Sequence, residues 1–303
     1  MIKLGIAGIV KDEADSLLEW IAYHRIIGVT HFFIANNDST DGTRDMLAAL
    51  ENCGIVTLID FPTIENQKPQ LPAYASLLDL SRKSCDAIAF IDADEFLVPT
   101  DGASTVTPII DKIFSDPSVS AIAVNWANFG SSGHLFIEDG LVIDRFTRRA
   151  KRECTVNHHY KTIVRPDRAL HFHNPHHVNL ESGRYVTTNE RDIVPHIKHG
   201  NGLSNSVIWD GVRVNHYATK SLEEFLLGKS KRGSASKEGR IKHKRYFLHH
   251  DRNDEECLIA AHFSIATKAE MDNLSAMINA SPELPTPANK SRISKFFTWS
   301  DRK

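Results

Sequence analysis

The first hundred residues alternate short apolar, β-branched runs with longer stretches of helical periodicity, and few folds accept that order. Ile2 to Val10 reads as a strand. In KDEADSLLEWIAYHRIIG, Leu17, Ile21, His24 and Gly28 recur at helical spacing, with Leu18 and Ile27 widening the stripe. Ser16 and Glu19 have the spacing of a capping box, and Gly28 suits a helix end. THFFIA, IVTLIDF and DAIAFIDADEF read as three further strands, with helices predicted over Arg44 to Asn52 and Gln70 to Ser84. Strand and helix in strict alternation predict an α/β fold, with a mainly parallel central sheet and right-handed crossovers.

In open sheets of this kind ligands bind beyond the carboxyl ends of the strands. Three polar clusters fall there: Lys11-Asp12-Glu13, Asn36-Asn37-Asp38-Ser39 and Asp92-Ala93-Asp94-Glu95. The last is the most demanding. Residues two apart on a strand share a face, so Asp92 and Asp94 are expected to converge and repel each other. A hard divalent cation relieves that repulsion, and Mg²⁺ or Mn²⁺ is held by one or two carboxylates together with substrate phosphates. The pair therefore predicts a metal–diphosphate site; the alternative is an acidic turn that caps a helix. For NDSTDG the helix cap is expected at Asp41 or Thr40.

The second half is less regular. Val119 to Ala127 is a predicted strand, followed by the turn NFGSSG; Ser221 to Leu227 begins a helix, and residues 253 to 280 read as one or two more. The expected organisation is a domain over residues 1–250, with a nucleotide-binding half over 1–100 and an acceptor-binding half over 101–250. A helical extension and tail follow over residues 251–303.

The stretch VKDEADSLLEWIAYHRIIGVTHFFIANNDSTDGT resembles the opening of family 2 glycosyltransferases and of the related family 92, and AFIDADEFLVP resembles their acidic strand. NWANFGSSGH, KTIVRP and NHYATKSLEEFLLGKSKRG follow in the same order, so the likeness spans roughly residues 3 to 235, the later blocks pointing to a bacterial type. The resemblance implies a GT-A fold, a Rossmann-like nucleotide-diphospho-sugar transferase. It also implies a metal-dependent, usually inverting hexosyltransferase that takes a UDP-sugar donor and a glycan or lipid-linked acceptor, as in cell-surface polysaccharide synthesis. Lys11 and Glu13 match the segment near the nucleotide; Asn37, Asp38 and Ser39 match the block that contacts uracil and ribose. Family 2 commonly has acidic residues where Asn36 and Asn37 stand, which leaves Asn37 and Asp38 as the choices for reading the base. Lys68 matches the donor-side loop loosely. Asp92, Asp94 and His216 match the metal ligands, Asp92 also facing the ribose, and an imidazole ligand favours Mn²⁺ over Mg²⁺. Among Lys220, Lys229, Lys231 and Arg232, at least one is expected to meet the diphosphate, with Lys220 and Arg232 preferred. The general base is expected at Asp144, where the family often carries glutamate, with Glu138 close behind. The competing reading of Asp144 is a salt bridge to Arg145, Arg148 or Arg149. Trp126 and Phe129 are candidates for stacking on the acceptor sugar.

Two other readings keep part of this picture. A nucleotidyltransferase would share the acidic pair but needs a glycine-rich basic loop after the first strand, which GIVKDEADS lacks. A non-catalytic relative would hold a nucleotide sugar or glycan without turning it over.

Composition removes several classes. Net charge is −2 and 24% of the 303 residues are charged, so bulk electrostatics predicts no nucleic-acid partner. Cys53, Cys85, Cys154 and Cys257 form no CxxC pair and read as free thiols. The N-terminus lacks a signal-peptide pattern, and a cytoplasmic location is expected. The histidines at 158, 159, 171, 173, 176 and 177 have no HExxH spacing, and some of them are expected to line the acceptor cleft or hydrogen-bond to its walls rather than hold zinc. The tail SRISKFFTWSDRK, with Phe296, Phe297 and Trp299 among bases, is a candidate for peripheral contact with the inner face of the membrane.

Overall fold

The computed structural model describes residues 2–231 and 242–280. The first half follows the expected alternation: β1 (Leu4–Val10), α1 (Ala14–Ile26), β2 (Val29–Asn36), α2 (Thr43–Asn52), β3 (Val56–Asp60), α3 (Gln70–Ser81) and β4 (Ala87–Phe90). β5 (Glu95–Pro99), α4 (Thr107–Phe114), β6 (Val119–Asn128), a short α5 (Val142–Arg145), β7 (Tyr160–Val164), β8 (Arg184–Thr187) and β9 (Val212–His216) continue it. These nine strands form one sheet in the order β3-β2-β1-β4-β7-β6-β9-β5, with β8 also paired to β6.

The β1, β2, β3 and β4 pairings are parallel, as predicted. Beyond them the sheet is mixed: β7 runs antiparallel to both β4 and β6, and β5 antiparallel to β9. β1 is buried along its whole length because both faces are covered. Leu4 and Ile6 share one core with Leu17, Ile21, Leu47 and Leu50, from α1 and α2. Ala7 and Ile9 share the other with Ala73, Tyr74 and Leu77, from α3.

Local signals held in part. Gly28 ends α1 at φ +107°, where a Cβ would lie 2.8 Å from the Thr107 side chain. The capping box does not form. α1 starts at Ala14, so Ser16 lies inside the helix and Glu19 is buried. Glu19 instead accepts the backbone N–H groups of Val142 (2.8 Å) and Ile143 (3.2 Å), which open α5. Burial pushes its carboxyl up to about 7. His24 is a core tie: its Nδ1 lies 2.8 Å from the Trp20 carbonyl, and its Nε2 accepts the Leu97 N–H. Burial pushes this imidazole down to about 3, so it is neutral.

The C-terminal part adds α6 (Leu222–Glu224), a π-turn over Phe225–Lys229, α7 (Lys244–His250) and α8 (Ser264–Ala280). Ser221 and Glu224 form a reciprocal capping box at the start of α6. α8 buries Leu274 and Ile278 and ties to α1 through Arg25 and Glu270 at 2.5 Å. No described helix is long and apolar enough to cross a membrane. Arg232 and the tail from residue 281, with its expected membrane contact, lie outside the described residues.

Candidate active site

A cleft of about 830 Å³ opens where β1, β2 and β4 end. Lys11 and Glu13 enter it after β1, Asn37 after β2, and Lys68 from the loop before α3. Asp92 and Asp94 enter from the link between β4 and β5. That link is a turn, with the Glu95 N–H donating to the Asp92 carbonyl, rather than the end of an extended strand. His216 closes β9 beside them, paired with Glu95 on β5, and Lys229, Tyr246 and His250 complete the lining. Residues scattered over 240 positions thus meet as the strand-end rule predicts.

Each aspartate is held by a lysine. Asp92 Oδ2 accepts from Lys161 Nζ at 3.0 Å, while its Oδ1 accepts from Gln70 (3.2 Å) and Tyr74 (3.1 Å). Lys161, on β7 and 1% exposed, also reaches Glu95 Oε2 at 3.2 Å. Burial alone would lower the Lys161 ammonium, but Asp92 and Glu95 hold it well above the ordinary lysine range. Glu95 has no exposed surface; burial pushes its carboxyl up to about 8 against the pull of Lys161. Asp94 Oδ2 accepts from Lys229 Nζ and lies 3.6 Å from His216 Nε2. Burial works against the Asp94 charge, yet Lys229 and His216 hold its carboxyl well below the usual range.

One wall is aromatic. Trp126 stacks on His159 at 4.7 Å and packs against His216 at 4.1 Å. Burial pushes His159 down to about 4 and His250 to about 2, so these two imidazoles are neutral near pH 7, and it lowers His176 and, against the pull of Asp94, His216.

The divalent cation that the resemblance implies does not fit this donor set. Asp94 and His216 are near enough to share an ion, and His216 Nδ1 is buried without a hydrogen-bond partner. But Asp92 Oδ1 already accepts from Gln70 and Tyr74 and its Oδ2 from Lys161, so its charge is matched by an ammonium, and Lys229 occupies Asp94 Oδ2. A dication and an ammonium sharing one carboxylate oxygen would stand about 4 Å apart and repel by about 8 kcal/mol at an effective dielectric of about 20. Among the described residues no group of three or more His, Cys, Asp or Glu side chains is arranged to hold a metal.

Other expected residues stand elsewhere. Asp144 accepts from Ser264 Oγ (2.7 Å) and Lys268 Nζ (3.2 Å), tying α5 to α8 outside the cleft lining. Its protein partners therefore come from the start of α8 rather than from the neighbouring arginines, because the fold brings α8 over it. Glu138 pairs with His134 at 3.1 Å, also outside the lining. Lys220 is turned away from the cleft and donates to Ser16 Oγ at 2.9 Å. Asp38 and Ser39 knit loops together: Asp38 accepts the Thr63 N–H, and Ser39 Oγ accepts the Asp12 N–H. Asp41 accepts the Thr43 N–H at the start of α2. Phe129 is a core residue packed on Tyr217, whereas Trp126 does line the cleft. Of the six clustered histidines only His159 and His176 line it.

Lys161, Gln70 and Tyr74 were not expected at the site. Lys161 carried a signal nonetheless: a lysine inside the apolar run YKTIV is almost never buried without an acid partner.

Residues 5–224 match glycosyltransferase family 92. The chain belongs to that family. It is 30% identical over 203 residues to a family 92 protein of Oryza sativa subsp. japonica, covering 64% of this chain and 33% of that one. An Arabidopsis thaliana family 92 protein is 24% identical over 229 residues, covering 71% and 37%. This family 92 chain thus spans about a third of the length of the curated relatives it matches. Among solved structures, S. aureus TarS 1–349 in complex with UDP overlaps 55% of this chain and 47% of its own, at TM-score 0.36 and 10% identity. Glucosyl-3-phosphoglycerate synthase from Mycobacterium tuberculosis, solved with Mn²⁺, UDP-glucose and phosphoglyceric acid, overlaps 55% and 57% at TM-score 0.33 and 12% identity.

Proposed function

We propose that this chain binds a nucleotide sugar, with a UDP-hexose the first candidate, and transfers the hexose to a glycan or lipid-linked acceptor in cell-surface polysaccharide synthesis. One observation carries the reading: in a member of glycosyltransferase family 92, Lys11, Lys68, Asp92, Asp94 and Lys229 converge on a single cleft of about 830 Å³. A cleft of that size suits a small-molecule ligand. Ammonium groups on its walls suit a diphosphate, both in binding and as charge grows on it during departure.

In the transfer the acceptor hydroxyl attacks the anomeric carbon, and the bond to the diphosphate oxygen breaks with its electron pair leaving on UDP. The hydroxyl proton passes to a base. Positioning and fixed charge are the protein's main contributions. The carboxylates that line the cleft are Glu13, Glu65, Asp92 and Asp94. Among these, Glu13, which faces the charge of Lys229, and Glu65, on the loop before α3, are the candidates for the base of an inverting reaction, in place of Asp144 and Glu138.

The test is UDP release from a panel of UDP-sugars, with wild-type protein and Glu13→Gln and Glu65→Gln variants. Turnover of at least one sugar, reduced about a hundredfold or more in one variant, supports the reading. UDP-sugar that binds but is never consumed would leave a non-catalytic relative instead.

A further inference from the structure

Asp92 and Asp94 bring two negative charges to the β4–β5 turn, and Lys161 and Lys229 bring two positive charges to them. We propose that these two lysines supply the charge a divalent cation would otherwise bring, so that the cleft binds a nucleoside diphosphate without metal. The proposal rests on the nucleotide-sugar reading for its ligand, but the charge substitution itself can be tested without nucleotide.

The two lysines are placed for different tasks. Lys161 belongs to β7, which pairs with β4 on one side and β6 on the other, and its ammonium is enclosed by Asp92 and Glu95. It is fixed there and locks Asp92. Lys229 ends the π-turn, whose Ser230 N–H reaches back five residues to the Phe225 carbonyl. That wide turn follows the Ser221–Glu224 capping box and anchors on Phe225, which is buried and stacks on Tyr246. Leu226 and Leu227 stay half exposed while Lys229 projects into the cleft. An ammonium has three donors in one compact head, so Lys229 can keep Asp94 and still meet a phosphate oxygen. Tyr246, whose ring lies 5.7 Å from the Lys229 ammonium, steadies it from the other side.

The first experiment titrates Mn²⁺ alone into the purified full chain and follows the free-ion signal by electron paramagnetic resonance. Wild type and Lys229→Arg are expected to take up no stoichiometric Mn²⁺ at concentrations up to about 100 µM. Lys229→Met is expected to gain a site, because Asp94 and His216 are then released to share an ion. The second compares UDP binding by calorimetry in EDTA and in Mn²⁺, with wild-type affinities expected to agree within about threefold. Lys229→Met is expected to weaken UDP in EDTA by about tenfold or more, as loss of a charged hydrogen bond does. One Mn²⁺ per wild-type chain at tens of micromolar, or UDP tightened about tenfold or more by Mn²⁺, would overturn the proposal. If UDP binds in neither buffer, the nucleotide reading fails, and uptake of Mn²⁺ by wild type still decides against the lysine pair while its absence, with gain of a site in Lys229→Met, decides for it.

Discussion

Replacing Lys161 by methionine keeps an unbranched apolar stem, one heavy atom shorter, and removes the ammonium with its charge and its three N–H donors. In the native protein that charge is 1% exposed and lies 3.0 Å from Asp92 and 3.2 Å from Glu95. At an effective dielectric of about 20, a unit pair at 3 Å is worth about 5 kcal/mol, and the solvent reaching Asp92, which is 35% exposed, reduces its share. Glu95 escapes part of the loss by remaining protonated, since burial already pushes its carboxyl up to about 8. Breaking a buried pair by deleting one partner costs about 3–5 kcal/mol, and the lower half of that range is expected here. Guanidinium unfolding at pH 7 measures it. The double variant Lys161→Met/Glu95→Gln removes the second buried ionisable partner, so it is expected to be less destabilised than the sum of its single changes. A loss under about 1 kcal/mol for Lys161→Met, or strict additivity in the double variant, would refute the description of Lys161 as the neutralising charge beneath the cleft.

Glu19 gives a pH test. Its folded value of about 7 lies above the ordinary 4.5, so the native state binds the proton more tightly, and stability is fullest below the ordinary value and falls as pH rises through 7. Between about pH 5 and pH 8 the loss is roughly 2.5 kcal/mol, and urea titrations of Glu19→Gln are expected to show a correspondingly flatter profile; parallel profiles would contradict the burial argument. Asp144→Ala is expected to lower stability by about 1 kcal/mol through lost contacts with α8, while UDP affinity in calorimetry stays unchanged. Gly28→Ala forces a side chain into a left-handed turn and against Thr107, and should cost about 1–3 kcal/mol by thermal unfolding.

The strand–helix alternation up to residue 90 was readable because hydrophobic period and glycine punctuation are local signals. The three strand-end clusters were readable as a group for the same reason: topology follows from the order of elements, and topology decides which ends meet. What escaped was set by distant partners. Ser16 and Glu19 have capping-box spacing, but the chain entered the helix three residues earlier, with Glu13 at the N-cap, and Glu19 found the start of α5 instead. Asp144 resembled a base by position, yet α8, more than a hundred residues on, supplies its partners. Lys220 and Lys229 are alike in sequence, and only the π-turn between Phe225 and Lys229 turns the second into the cleft. The antiparallel pairing of β7 was hidden because its partners β4 and β6 lie far away along the chain.

The central claim is that the cleft at the ends of β1, β2 and β4 is a nucleotide-sugar site. Calorimetric titration of UDP, GDP and CMP into the purified chain tests it most directly. The account predicts one saturable site per chain for UDP, with GDP and CMP weaker by about tenfold or more. Failure of UDP to saturate at millimolar concentration, or equal affinity for all three nucleotides, would contradict it.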